Sequence, residues 1–159
     1  MWFMWGAAGL VMFIDQAVKY FVSAALPLGA AWSPLPGPQP LIQIVHVANT
    51  GFAFGLFRDL GLVPILVPLL ISGFIVLYVR RLHADQKFMA AALGLTLGGA
   101  LGNVIDRIRI GYVIDYFDIG VGVLRNASNF ADWSIVLGVI LLSVAMFLEE
   151  RKLQKEKAS

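Results

Sequence analysis

The chain has 159 residues, 59% apolar and only 14% charged, with a formal net charge of +2 and no cysteine. Ordinary soluble domains carry about 25% charged residues, so the composition excludes a typical soluble domain and points to a membrane protein. The small net charge, without a basic stripe, excludes a nucleic-acid binder, and the missing cysteines exclude disulfides, thiolate metal sites and a cysteine nucleophile.

A membrane-spanning helix needs about 20 mostly apolar residues, and four stretches qualify. The first covers 2–22. It lacks the basic start of a cleavable leader, and Asp15 and Lys19 interrupt its apolar run, so it is expected to remain in place. Asp15 and Lys19 are four apart with the acid first, the favourable order for an ion pair on one helix face. The simplest reading is a pair that neutralises itself near the membrane surface, which is compatible with supporting a neighbouring site.

Residues 24–59 are too long for a plain connection. Pro27, Pro34, Pro36, Pro38 and Pro40 exclude one continuous helix, whereas 41–47, rich in Ile and Val, reads as a short strand. The strand feeds Asn49-Thr50-Gly51-Phe52-Ala53-Phe54-Gly55. This is either a tight turn with aromatics dipping into lipid or a substrate-facing loop in which Asn49 supplies hydrogen bonds. The whole segment predicts a small β-rich platform on the membrane surface. The second span covers 60–79, with Pro64 and Pro68 near its start, where proline is tolerated.

The connection 80–87 and the tail after 148 together hold seven Lys/Arg: Arg80, Arg81, Lys87, Arg151, Lys152, Lys155 and Lys157. With four spans they share one side, which the positive-inside rule assigns to the cytoplasm, with both termini. Six of the seven aspartates, Asp15, Asp59, Asp106, Asp115, Asp118 and Asp132, then fall on the outer side.

The third span covers 88–105. Gly94, Gly98 and Gly102 recur every four residues, the pattern that lets helix backbones approach closely. Gly99, Asn103, Asp106 and Arg107 follow at spacings that carry polar groups toward a neighbouring helix. The Arg107 guanidinium, with five donors, suits a carboxylate such as Asp106 or Asp115, or peptide carbonyls. A short polar segment follows, with Asp115 and Asp118, and the fourth span covers 132–148 after Asn129-Phe130-Ala131-Asp132.

Ionisable groups beside the hydrocarbon layer are costly and mark function by default. Asp115 and Asp132 each sit among apolar neighbours at the edge of a hydrophobic segment. Two carboxylates held close share a proton, which gives an acid and a base in one site. They could activate water against an amide, or they could simply cap helices. Asp118 is expected to face solvent. His46 and His83 lie far apart, outside metal-binding spacing, and no serine–histidine–aspartate set or phosphate loop is present.

Taken together, these blocks resemble the lipoprotein signal peptidase, or signal peptidase II, family. The resemblance rests on Asp15-Gln16-Ala17-Val18-Lys19, the Asn49 to Gly55 loop, Gly98 to Arg107, Val113-Ile114-Asp115-Tyr116-Phe117 and Asn129-Phe130-Ala131-Asp132, in that order. It implies an all-α membrane protein with four spans and the β-rich platform between the first two, a single peptidase domain over 1–159. It implies an intramembrane aspartic endopeptidase of the bacterial inner membrane, with its site near the outer face. The enzyme would cut diacylglyceryl-modified prolipoproteins just before the modified cysteine. By that resemblance Asp115 and Asp132 form the catalytic pair. Asn49, Asn103, Arg107 and Asn129 bind substrate, and Asp15, Lys19, Gly99 and Asp106 support the site. No metal or organic cofactor is implied. The expected partners are the prolipoprotein and membrane lipids, with no nucleic acid, and the chain is expected to act as a monomer. The helix start favours charge on Asp132, although coupled carboxylates titrate as a pair. Two rivals use the same residues: a small proton- or ion-conducting transporter, and an assembly factor whose polar groups only hold helices together.

Overall fold

A computed structural model describes residues 1–34, 37, 40–51, 61–122 and 124–158. Pro36, Pro38, Phe52 to Gly55, Arg58, Asp59 and the expected helix start at Leu60 lie outside the described residues. The element order is α1 (Trp2–Ala25), β1 (Ala31–Trp32), β2 (Ile42–Asn49), α2 (Val63–Val79), α3 (Lys87–Ile110), β3 (Val113–Val121), β4 (Leu124–Ser128) and α4 (Phe130–Ala158).

The chain is mostly helical. α1, α3 and residues 130–152 of α4 are each long and apolar enough to cross a membrane, and α2 is a shorter apolar helix of 17 residues. Large apolar side chains such as Phe13, Phe21, Leu70, Phe74, Ile140 and Phe147 are exposed on α1, α2 and α4. Faces of this kind suit lipid rather than water. α3 is the central helix and packs against the other three. Its Leu93 and Leu97 join Met4, Ala8, Ile75 and Val79 in the core.

The glycines of α3 make this closeness possible. A Cβ at Gly98 would meet the Ala8 carbonyl oxygen at 2.6 Å and Val11 at 2.8 Å, both on α1. On the neighbouring face, one at Gly99 would meet the Ala131 carbonyl of α4 and Ile135. The two glycines thus let one helix touch α1 and α4 at once. α3 ends where Gly111 takes a left-handed φ of 83° and its N–H bonds to the Arg107 carbonyl at 3.1 Å. The helix therefore runs past the expected end at 105 and carries Asp106, Arg107 and Arg109 in its last turns.

The strands form one antiparallel sheet in the order β1-β2-β3-β4. This corrects the expectation of an all-α chain whose β platform lies only between the first two helices. Half of the sheet comes from 113–128, which had read as a polar crossing. Val113, Ile114, Tyr116, Phe117 and Ile119 are strand formers, and β2 supplies the partner edge, with Asn49 opposite Val113 and Val47 opposite Asp115. A tight connection through Gly122, at φ 57°, returns the chain as β4, with Ser128 opposite Phe117. The pairing places Asn49 and Asp115 on adjacent strands and delivers Asn129 straight into α4.

Candidate active site

α4 begins at a crowded junction, where three of its first N–H groups find side-chain acceptors from different elements. The Phe130 N–H donates to the Tyr116 hydroxyl of β3 at 3.0 Å. The Ala131 N–H donates to Asp15 of α1 at 3.0 Å, and the Asp132 N–H donates to the Asn129 side-chain oxygen at 2.9 Å. A helix start leaves such donors without partners inside the helix, and Asn129 is a favoured cap residue. Burial pushes the Tyr116 hydroxyl up to about 12, so it stays neutral as an acceptor. Asp132 is fixed by this junction in the first turn of α4.

Asn129 is fully buried and serves both aspartates. Its oxygen accepts the Asp132 N–H, while its amide nitrogen donates to Asp115 Oδ1 at 2.7 Å. Asn49 donates to the other oxygen, Asp115 Oδ2, at 2.8 Å. Asn103 of α3 donates to Asp132 Oδ1 at 2.7 Å. Asp115 and Asp132 are thus gathered around one asparagine, each held by amide donors. Burial pushes the Asp115 carboxyl up to about 6, the Asp132 carboxylate adds to that push, and the hydrogen bonds from Asn49 and Asn129 oppose it.

Behind this pair lies a second polar cluster. Lys19 is 2% exposed. Its ammonium contacts Asp15 and Asp106 at 2.8 Å each and donates to the Asn103 side-chain oxygen at 3.0 Å. The expected Asp15–Lys19 pair is therefore a triad with Asp106, and Asn103 relays its position to Asp132. Asp106 also accepts the Ile114 N–H at 3.2 Å, which ties α3 to the start of β3. Gly102 leaves room for the Asp15 carboxylate, since a Cβ there would stand 2.8 Å from Asp15 Oδ2.

Arg107 donates to the Gly51 carbonyl at 2.8 Å. Gly51 in turn donates its N–H to Asn49 Oδ1 at 3.0 Å. The guanidinium thereby sets the bend that aims Asn49 at Asp115. Arg107 Nε has no partner among the described residues.

Asn49, Asn103, Arg107 and Asp132 line a cavity of about 450 Å³, whose remaining walls include Pro68, Ile71, Ile135 and Val136. Most of the wall is apolar, and Thr96, Asn126 and Ser128 are its other polar residues. Asp115 is not itself among the lining residues, but its donor Asn49 and its neighbour Val113 are. Among the described residues, no group of three or more His, Cys, Asp or Glu is placed to ligate one metal ion.

Asp118 does not face solvent as expected. It is 7% exposed and pairs with Arg125 at 2.6 Å. Three positions along a strand from Asp115, it points to the other face. Sequence reasoning missed Gln16, which donates to Asp106 at 2.9 Å, and Tyr116. Both lie inside the recognised blocks, but nothing local in the sequence marks their contacts. Asn126, Ala127 and Ser128 of β4 also line the cavity and carried no signal.

Residues 7–148 match the family model for signal peptidase (SPase) II. The chain belongs to the signal peptidase II family. It is 39% identical over 143 residues to the lipoprotein signal peptidase of Geobacter sulfurreducens, covering 87% of this chain and 88% of that one. Against the lipoprotein signal peptidase of Syntrophus aciditrophicus it is 37% identical over 159 residues, covering 95% and 93%. A solved bacterial membrane enzyme, determined by the in meso method at 2.3 Å, superposes with a TM-score of 0.80 at 28% identity, over 91% of this chain and 87% of that one. A second, at 1.9 Å, gives 0.76 at 29% identity, over 88% and 89%. The chain is a membrane-embedded signal peptidase II, and nothing in these comparisons supports the ion-conducting reading.

Proposed function

We propose that this signal peptidase II removes the signal peptide of diacylglyceryl-modified prolipoproteins by cutting before the modified cysteine, with Asp115 and Asp132 as the catalytic pair. The observation that carries the reading is Asn129, one buried amide bonded to both aspartates, beside a largely apolar cavity that Asp132 lines. A structural pair of caps would need no cavity with apolar walls beside it.

Asp132, facing the cavity, is the base. It takes a proton from a water, whose oxygen adds to the carbonyl carbon preceding the cysteine. Asp115, pushed up to about 6, holds the other proton and gives it to the carbonyl oxygen. The tetrahedral adduct collapses as the C–N bond breaks, and the amine leaves with a proton from the dyad. Asn103 holds Asp132 Oδ1 in place, and Arg107 sets the Asn49 loop. Arg107 and Asn49 line the cavity with Asp132, and their remaining N–H groups would serve a substrate carbonyl there. The apolar walls from α2, α3 and α4 suit the acyl chains.

The whole chain, 1–159, acts as one peptidase domain and as a monomer. Four helices span the bacterial inner membrane, the basic 80–87 connection and the tail face the cytoplasm, and the sheet lies at the outer face. At about 1.5 Å per residue, the 17 residues of α2 reach about 26 Å, close to a hydrocarbon core of about 30 Å.

The test is a gel-shift cleavage assay on a diacylated prolipoprotein with wild type, Asp115→Asn, Asp132→Asn, the double variant and Asp118→Asn at matched expression. Each dyad single should be inactive and the double hardly worse, because groups acting as one unit are non-additive. Asp118→Asn should retain substantial turnover per folded molecule. Full activity in either dyad single would end the aspartic reading.

A further inference from the structure

Among the described residues, a strand edge without a backbone partner borders the site. β4 is the last strand of the sheet, paired with β3 on one side only. Among the described residues, no backbone hydrogen bond joins the other side of 124–128 to any element. Asn126, Ala127 and Ser128 line the cavity together with Asp132 and Arg107. The opposite edge strand, β1, contributes nothing to that lining. An unpaired edge presents N–H and C=O groups at every second residue.

The occupant follows from the chemistry of the substrate, and this step rests on the peptidase reading above. A carbonyl inside a helix is already hydrogen-bonded and wrapped by the next turn, so the chain must be extended where it is cut. Extended amides beside the hydrocarbon layer lose their helical partners and are costly to leave unpaired. β4 offers replacements at the dyad itself.

Chain polarity decides which side of the cut uses them. β3 starts just past the end of α3 and β4 runs directly into α4, so the Gly122 turn is the end of the hairpin remote from the helices. β4 runs from that turn toward Asn129 and Asp132. The signal-peptide side of the substrate arrives from the bilayer, on the helix side of the dyad. The product side must leave away from the helices, opposite in direction to β4. That is the antiparallel sense, the more stable pairing.

We propose that the outer edge of β4 takes the residues immediately after the modified cysteine as an added antiparallel strand. The edge reads backbone rather than side chains, so the first residues of the mature lipoprotein are held in register without being selected for sequence. Ala127 and Ser128 are small enough for another backbone to approach.

The test uses the full chain in lipid-doped micelles and synthetic diacylated substrates carrying one N-methyl amide at each of the five positions after the cysteine. Methylation at alternate positions should raise KM about fivefold, the worth of one backbone hydrogen bond, with kcat largely spared. The positions between should match the unmodified substrate. A flat profile, equal sensitivity at all five, or sensitivity confined to amides before the cysteine would overturn the pairing. Failure to cleave the unmodified substrate would instead sink the peptidase reading, and the pairing with it.

Discussion

Replacing Lys19 by Met tests how the buried charges are balanced. The methionine keeps most of the stem and removes the ammonium. In the native site all three N–H groups of Lys19 are used, on Asp15, Asp106 and Asn103. Both acids are buried. Gln16, the Ala131 N–H and the Ile114 N–H supply their other contacts, and none of these carries charge. Breaking a buried ion pair from one side costs about 3–5 kcal/mol, because the remaining charge is left uncompensated. For a chain of this length that corresponds to a fall in unfolding midpoint on the order of 10 °C. Asn103 also loses the contact that orients its amide toward Asp132, so turnover of the folded fraction should drop as well. Adding Asp106→Asn removes one of the two stranded carboxylates, so the double variant should regain about 1–2 kcal/mol relative to the sum of the singles. The assay is thermal unfolding in detergent micelles followed by tryptophan fluorescence, with cleavage measured on the same samples. A wild-type midpoint for Lys19→Met, or strictly additive losses in the cycle, would refute the triad as a coupled unit.

Arg107→Lys should lower kcat/KM about tenfold, the worth of one charge-assisted hydrogen bond, because a point charge cannot hold the Gly51 carbonyl and keep a second donor on the cavity; unchanged kcat/KM at limiting substrate would show that the fork is not used. With Asp115 as the acid, its protonated form is present below about pH 6 and lost above it, so kcat/KM of the free enzyme should fall as pH rises through that value. Asn49→Ala removes a hydrogen bond that favours the charged form, so the residual activity should keep its alkaline limb to higher pH; a limb that stays put or moves down contradicts the assignment. For topology, a cysteine at Ala84 should react with an impermeant label only from the cytoplasmic side and one at Ser33 only from outside, and labelling of both from one side would break the four-span arrangement.

Membrane character, the helical stretches and the family were legible in the sequence because each rests on a one-dimensional signal. Apolar runs of helix length need no partner to be recognised, the glycine spacing of 94, 98 and 102 already encodes close approach, and the polar blocks keep their order along the chain. The ends of elements were less legible. Helix α3 continues past its apolar stretch because a left-handed Gly111 stops it, and α4 starts at Phe130 because Tyr116, Asp15 and Asn129 together satisfy its first N–H groups. The β3–β4 hairpin was hidden because a strand is completed by its neighbour. Residues 113–121 carry strand formers, but their pairing depends on β2, more than sixty residues earlier. Contacts of the site belong wholly to tertiary structure. Asp115 and Asp118 look alike in sequence, yet the pleat sends one to Asn49 and Asn129 and the other to Arg125. Lys19 is one residue four positions from an acid until α3 packs close enough to bring Asp106 and Asn103 to the same ammonium. Charge and hydrophobicity along the chain determine where it lies, whereas the direction of each polar side chain is set by the elements that close around it.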